Sequence, residues 1–127
     1  MSDRFRFRVW LEYAKLYYSL DSFYYDRLKN KYTFHFEDGH TKTIKEKDFV
    51  IEQCTGLKDK NGKLIYEGDL IKEPANSHNL KVIWENGAWQ TEEYRKNGHR
   101  EQLLYCLVNC YCVEIVGNIH ENGELLK

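Results

Sequence analysis

Three groups of side chains in this chain have the types and spacing to do chemistry. Asp59, Glu67 and Asp69 cluster around turn signals. Neighbouring carboxylates can share acid–base work or hold a hard cation. Asp in a turn also accepts hydrogen bonds from the backbone, and no His or Lys stands nearby at a recognisable catalytic spacing. Asp59 and Asp69 are therefore read as turn residues. The second group is Cys106, Cys110 and Cys112, with His99 or His120. Thiolates and imidazoles are the usual zinc ligands, but the spacings here are C-x3-C and C-x-C, with no second C-x2-C pair. If Cys110 and Cys112 share a strand face, their Cα atoms lie about 6.6 Å apart. Both side chains would then have to lean inward to reach one zinc at about 2.3 Å. Buried thiols acting as small apolar residues account for them without a metal, so no metal or other cofactor is expected. The third group is Arg4, Arg6 and Arg8, which alternate with Phe5, Phe7 and Val9. Such a stripe can contact phosphates or an acidic partner. It can also be a solvated strand face that discourages edge pairing. Arg95, Lys96, His99 and Arg100 form a second basic run, read as a mobile loop.

No P-loop, G-x-S-x-G, H-E-x-x-H or G-x-G-x-x-G is present, which argues against a familiar enzyme. The formal net charge of -1 and pI near 6.5 exclude a general electrostatic grip on nucleic acid but leave room for local patches. No apolar run approaches the ~18–20 residues of a membrane span. The start, MSDRFRFRVW, lacks a signal-peptide apolar region. A cytoplasmic protein with thiols rather than disulfides is expected.

The elements that must position these groups are mostly strands. Ten Tyr, six Phe and three Trp make the chain 15% aromatic, and aromatic residues favour pleated, half-buried surfaces. Arg4 to Trp10 has the period of a strand, and Lys15 to Leu20 can return as a hairpin that Asp21-Ser22 breaks. Phe23 to Leu28 is open between helix and strand. Tyr32 to Ile44 reads as a hairpin about Asp38-Gly39, and Phe49 to Cys54 as another strand. Asn61-Gly62 marks a tight turn. Gly68, inside Leu64–Ile71, marks a sharp bend of the kind small barrels use to pass between layers. Leu80–Trp84 and Ala88–Tyr94 flank Asn86-Gly87 as a further hairpin. Leu103 to Val108 is strand or short helix. Cys110 to Ile119 is read as a strand kinked at Gly117, and Leu125-Leu126 as a closing apolar hook. The aromatics Tyr17, Tyr18, Tyr24, Tyr25, Trp84, Trp89 and Tyr94 exceed what one small core needs. Tyr17, Tyr18, Tyr24 and Tyr25 are the candidate interface residues.

Three stretches also resemble one family. Phe7-Arg8-Val9-Trp10 is similar to the opening FRAW-like motif of the YopX family. Thr55 through Gly62, continued by Ile65-Tyr66-Glu67-Gly68-Asp69, resembles its TGLKDKNGxxIYEGD core. Val113 through Asn122 resembles its closing VIGNIYEN segment. Leu11-Glu12-Tyr13 departs from the polar connection usual after the opening motif, and Phe23 to Cys54 matches no motif. The resemblance implies a mostly β fold with an SH3-like barrel element in the C-terminal half, and a phage or prophage setting in a bacterial cytoplasm. It implies no activity, so it carries over no functional residue.

The expectation is a single domain, residues 1–127, mostly β, with an N-terminal β-hairpin arm (1–50), a small SH3-like barrel core (51–127) and a minor helix. Gly62, Gly68 and Asp69 form its structural turn motif. Functionally the chain is read as a non-enzymatic accessory binding module that meets a protein partner or itself. The alternative is a nucleic-acid-binding accessory protein using Arg4, Arg6, Arg8, Arg95 and Arg100. No membrane is expected as a partner.

Overall fold

The computed structural model describes residues 6–45, 48–74, 78–95 and 98–126. It is mostly β, in two compact units, Met1–Cys54 and Thr55–Lys127.

In the first unit, β1 (Phe7–Leu11) pairs antiparallel with β2 (Leu16–Asp26) and with β5 (Phe49–Lys58). The alternation of β1 sends Phe7, Val9 and Leu11 to one apolar cluster, leaving Arg8 and Trp10 on the opposite face. β2 then pairs with β3 (Lys31–Phe36), and β3 with β4 (Thr41–Lys45), giving the order β4-β3-β2-β1-β5. Asp21-Ser22 does not end β2. The register shifts between Leu20 and Ser22, and this bulge changes the side-chain parity, so Phe23 comes back to the apolar face against Phe7 and Phe34. Phe23 to Asp26 is strand rather than helix, because Phe23, Tyr24 and Tyr25 lie opposite Phe34, Thr33 and Tyr32.

The sheet curls around its own core. Phe49 on β5 lies 4.8 Å from the Tyr32 ring and 4.9 Å from the Phe34 ring on β3. Three strand spacings in a flat sheet would separate them by about 14 Å. Val9, Leu11, Leu20, Phe34, Phe36 and Ile44 fill the concave side.

The second unit starts with the far half of β5, beside β6 (Leu64–Tyr66). β7 (Asp69–Lys72), β8 (Leu80–Glu85), β9 (Ala88–Arg95), β10 (Gly98–Leu103) and β11 (Glu114–Asn118) make an antiparallel sheet in the order β10-β9-β8-β7-β11. α1 (Leu104–Cys110) inserts Leu104 and Leu107 into a core with Ile65, Ile71, Leu80, Val82 and Val113. Among the described residues neither sheet closes into a barrel, so the expected SH3-like barrel gives way to two open sheets.

Two local expectations are corrected here, and one that was open between two forms is decided. Within the expected loop, Arg95 ends β9 and Gly98 to Gln102 belong to β10, because Arg95 to Gln90 supply a ladder for Gly98 to Leu103. Of Leu103 to Val108, open between strand and short helix, Leu103 ends β10 and the rest is helix, anchored by Leu104 and Leu107 one turn apart. Cys110 ends that helix and Cys112 precedes β11, so the two do not share a strand. Gly117 does sit at an irregularity, where the β11–β7 register shifts between Ile115 and Gly117. No helix among the described residues is long and apolar enough to cross a membrane.

Candidate functional site

The central turn is held together by its own carboxylates. One Asp59 oxygen accepts the Asn61 and Lys63 N–H groups, each at 2.9 Å, and the other accepts the Ile115 N–H of β11 at 3.1 Å. The Lys60 N–H adds a bond to the Val113 carbonyl at 2.8 Å. Burial pushes the Asp59 carboxyl up, but the three donors together with the Lys63 charge outweigh it, and the carboxyl is held below the usual range. Asp69 is buried and accepts the Tyr66 N–H at 2.8 Å. Between them Gly62 and Gly68 have φ of 79° and 85°, a region that costs an L side chain about 1–2 kcal/mol. The Gly68 N–H donates to Val82 and its carbonyl accepts from Ile119, both at 2.9 Å. The closing stretch is built the same way. A Cβ on Gly117 would meet the Asn122 side chain at 2.5 Å, and the Asn122 side-chain oxygen accepts the Asn118 N–H at 3.2 Å. The Asn118 side chain in turn accepts from His120 and Glu121. These carboxylates and amides are spent on backbone, which leaves them poorly placed to act on a substrate.

The arginine stripe is divided. Arg4 lies outside the described residues, as do the side chains of Arg95, Arg100 and Tyr94. Arg6 precedes β1 and is exposed. Arg8 is not aimed at solvent. Its Nε donates to the Glu52 carboxylate at 2.9 Å, and its guanidinium lies 4.0 Å from the centre of the Tyr17 ring. Glu52 is only 2% exposed, and Tyr17 Oη donates to the same carboxylate oxygen at 2.8 Å. The Trp10 ring packs on Tyr17 at 5.1 Å, and its Nε1 donates to Glu12 at 2.8 Å. Two candidate residues thus serve one polar–aromatic network. The network turns on Glu52, which nothing in the local sequence marks as buried.

The remaining aromatics separate into core and surface. Tyr18 is half-buried against Phe36. Tyr24 is exposed and lies near His35 on the convex side of the first sheet. Tyr25 is exposed near the β2–β3 turn, where its hydroxyl bonds the Asn30 side chain. In the second unit Trp84 is exposed and meets the half-buried Trp89 edge-on at 5.0 Å. Tyr105 and Tyr111 are exposed as well.

Cys54 is buried, whereas Cys106, Cys110 and Cys112 are exposed and free, so burial does not account for these three. Cys112 borders a cavity of about 190 Å³ with Lys60, Lys72, Pro74 and Glu114. That volume is below the roughly 300 Å³ at which ligand pockets begin, and Lys60 already pairs with Glu114 at 3.4 Å. Among the described residues, the ligand atoms that converge are the carboxylates of Glu85, Glu92 and Glu101, all within 4.8 Å of one another. Lys81 neutralises part of that charge through Glu92 at 3.4 Å.

Residues 6–127 match the family model described as YopX protein. The chain is also similar to a solved structure, protein EF1440 from Enterococcus faecalis, at 26% identity and a TM-score of 0.67. The match covers 96% of this chain and 97% of that one. Among curated proteins, none matches the chain.

Proposed function

The chain belongs to the YopX family, and from that premise we propose that it is an accessory binding module that engages a protein partner or a second copy of itself and does no covalent chemistry. The observation that carries this is the aromatic surface. Tyr13, Tyr24, Tyr25, Trp84, Tyr105 and Tyr111 are all more than a third exposed. Tyr and Trp that keep one wet edge are the residues interfaces favour. The polar groups argue in the same direction. No buried side-chain nitrogen or oxygen among the described residues lacks a partner, so none is left waiting for a substrate. A phage or prophage setting in a bacterial cytoplasm belongs to the same proposal.

Light scattering on a sizing column, combined with capture from cells that carry the protein, tests it. We expect either a mass above the monomer or a retained protein. A strict monomer that retains nothing overturns the proposal. A salt-sensitive mobility shift with DNA or RNA, lost when Arg4, Arg6 and Arg8 become Ala, would favour the nucleic-acid alternative instead.

A further inference from the structure

The expectation of no metal rests on buried thiols, and the fold removes that reason. Cys106, Cys110 and Cys112 are exposed and free. An exposed free thiol brings reactivity without a packing gain. Three of them between Cys106 and Cys112 need another physical account.

Helix α1 sets their geometry. Leu104 and Leu107 anchor one face of it in the core. Cys106 and Cys110 are one turn apart on the outer face, beside the exposed Asn109. Helix neighbours of this kind have Cβ atoms about 5–6 Å apart. A disulfide needs about 3.5–4.5 Å, so an intact α1 keeps the two sulfurs unjoined. A zinc ion bonded to each sulfur at about 2.3 Å bridges the wider span, and C-x3-C falls within the spacing usual for zinc pairs. Among the described residues no third His, Cys, Asp or Glu atom converges on the pair. One chain thus offers two ligands where structural zinc takes four. The surroundings suit a second copy. No residue from Leu103 to Val113 is charged, in a chain that is 31% charged. Leu103, Tyr105 and Tyr111 flank the thiols in sequence and are exposed. A two-fold contact sets a patch against itself. A charged patch would meet its own sign there, and this one does not.

We propose that Cys106 and Cys110 form half of a zinc site, completed by the same two residues of a second copy across a two-fold axis. Four thiols release four protons to solvent and bind one Zn2+ as a tetrahedral four-sulfur centre. The second cysteine pair that the sequence lacks is the same pair, presented by another chain. This rests on the binding-module reading and names how the second copy is held.

A zinc titration of the full chain tests this. It is run in high salt with a phosphine reductant, so that neither surface charge nor disulfides join the chains. Light scattering reads the mass with a chelator present and again with zinc. We expect the mass of one chain with chelator, doubled at one zinc per two chains. Cobalt in place of zinc should give the intense near-ultraviolet thiolate band of a tetrahedral sulfur site. Cys106→Ser and Cys110→Ser should each abolish the doubling, and Cys112→Ser should keep it. Metal-free thermal melts that match wild type show the variants to be folded. Zinc taken up at one per chain with no change of mass overturns the second copy as the source of the missing ligands. Doubling that survives in both Cys106→Ser and Cys110→Ser overturns the site. A chain that takes up no zinc, yet retains a partner protein from cells, ends the zinc joint and leaves the binding-module reading standing.

Discussion

At the scale of single residues, this protein uses its most reactive-looking side chains as internal fasteners. Asp59 joins the Asn61 and Lys63 turn to Ile115 of β11. Removing a partner from buried N–H groups costs about 1–3 kcal/mol for each donor left unsatisfied. Asp59→Ala should therefore lower unfolding free energy by roughly 3 kcal/mol in a urea titration. The pH dependence has a definite sign. The folded Asp59 carboxyl titrates below its ordinary value. Its contribution is complete above the unfolded carboxylate pKa of about 3.9 and is lost as pH falls through the lower folded value. Wild type should lose stability below about pH 4 more steeply than Asp59→Asn. Arg8 makes a second residue-scale case. It is the cation beside Glu52, which is 2% exposed. Stranding a buried carboxylate costs about 3–5 kcal/mol, and Glu52 keeps Tyr17 as a donor. Arg8→Ala should accordingly cost on the order of 3 kcal/mol, and a loss under 0.5 kcal/mol would show the guanidinium to be solvated as the alternation first suggested.

At the scale of elements, what could be read in the sequence was what is decided locally. Asn86 and Gly87 both take positive φ, the type I′ signature that Asn-Gly announces without any distant partner. Gly62 and Gly68 turn where expected for the same reason. β10 was invisible because Gly98 to Gln102 holds no apolar alternation, and its strand character comes from the ladder with β9. α1 was ambiguous because Tyr, Cys and Val are weak helix formers, and burial of Leu104 and Leu107 selects the helix. The bulge at Leu20–Ser22 could not be foreseen either, since it is set by the partners that Phe23 finds on β3. Two element-scale outcomes follow. Gly117→Ala must displace the Asn122 side chain, whose atoms would lie 2.5 to 2.8 Å from the new Cβ. Overpacking of that kind costs about 1–3 kcal/mol, and thermal unfolding will show it. Lys31→Glu exchanges the like-charge facing with Lys45 for one with Asp26, which lies opposite on β2, so it should move the stability of the chain by less than about 0.5 kcal/mol. A gain of about 1 kcal/mol or more would mean that Asp26 does not balance Lys31 across the β2–β3 ladder.

At the scale of the whole molecule, the charges balance to -1 but are not mixed evenly. Cations gather at the β2–β3 tip and carboxylates on the β8–β9–β10 face. Neither patch is visible in the linear sequence, because each depends on strand register. Lys31 and Lys45, or Glu92 and Glu101, become neighbours only once the ladders form. The stretches that carry the family likeness lie elsewhere, in β1 of the first unit and in the Asp59, Gly68 and Asn118 turns of the second. The motifs therefore report architecture, while the exposed aromatics that carry the binding-module reading, Tyr24, Tyr25, Trp84, Tyr105 and Tyr111, lie outside them. The most direct measurement is sedimentation equilibrium of wild type over a wide concentration range in low and in high salt. We expect an average mass that rises with concentration in low salt and returns to that of one 15.3 kDa chain in high salt. A single-chain mass at every concentration in low salt would contradict self-association as the way this module binds.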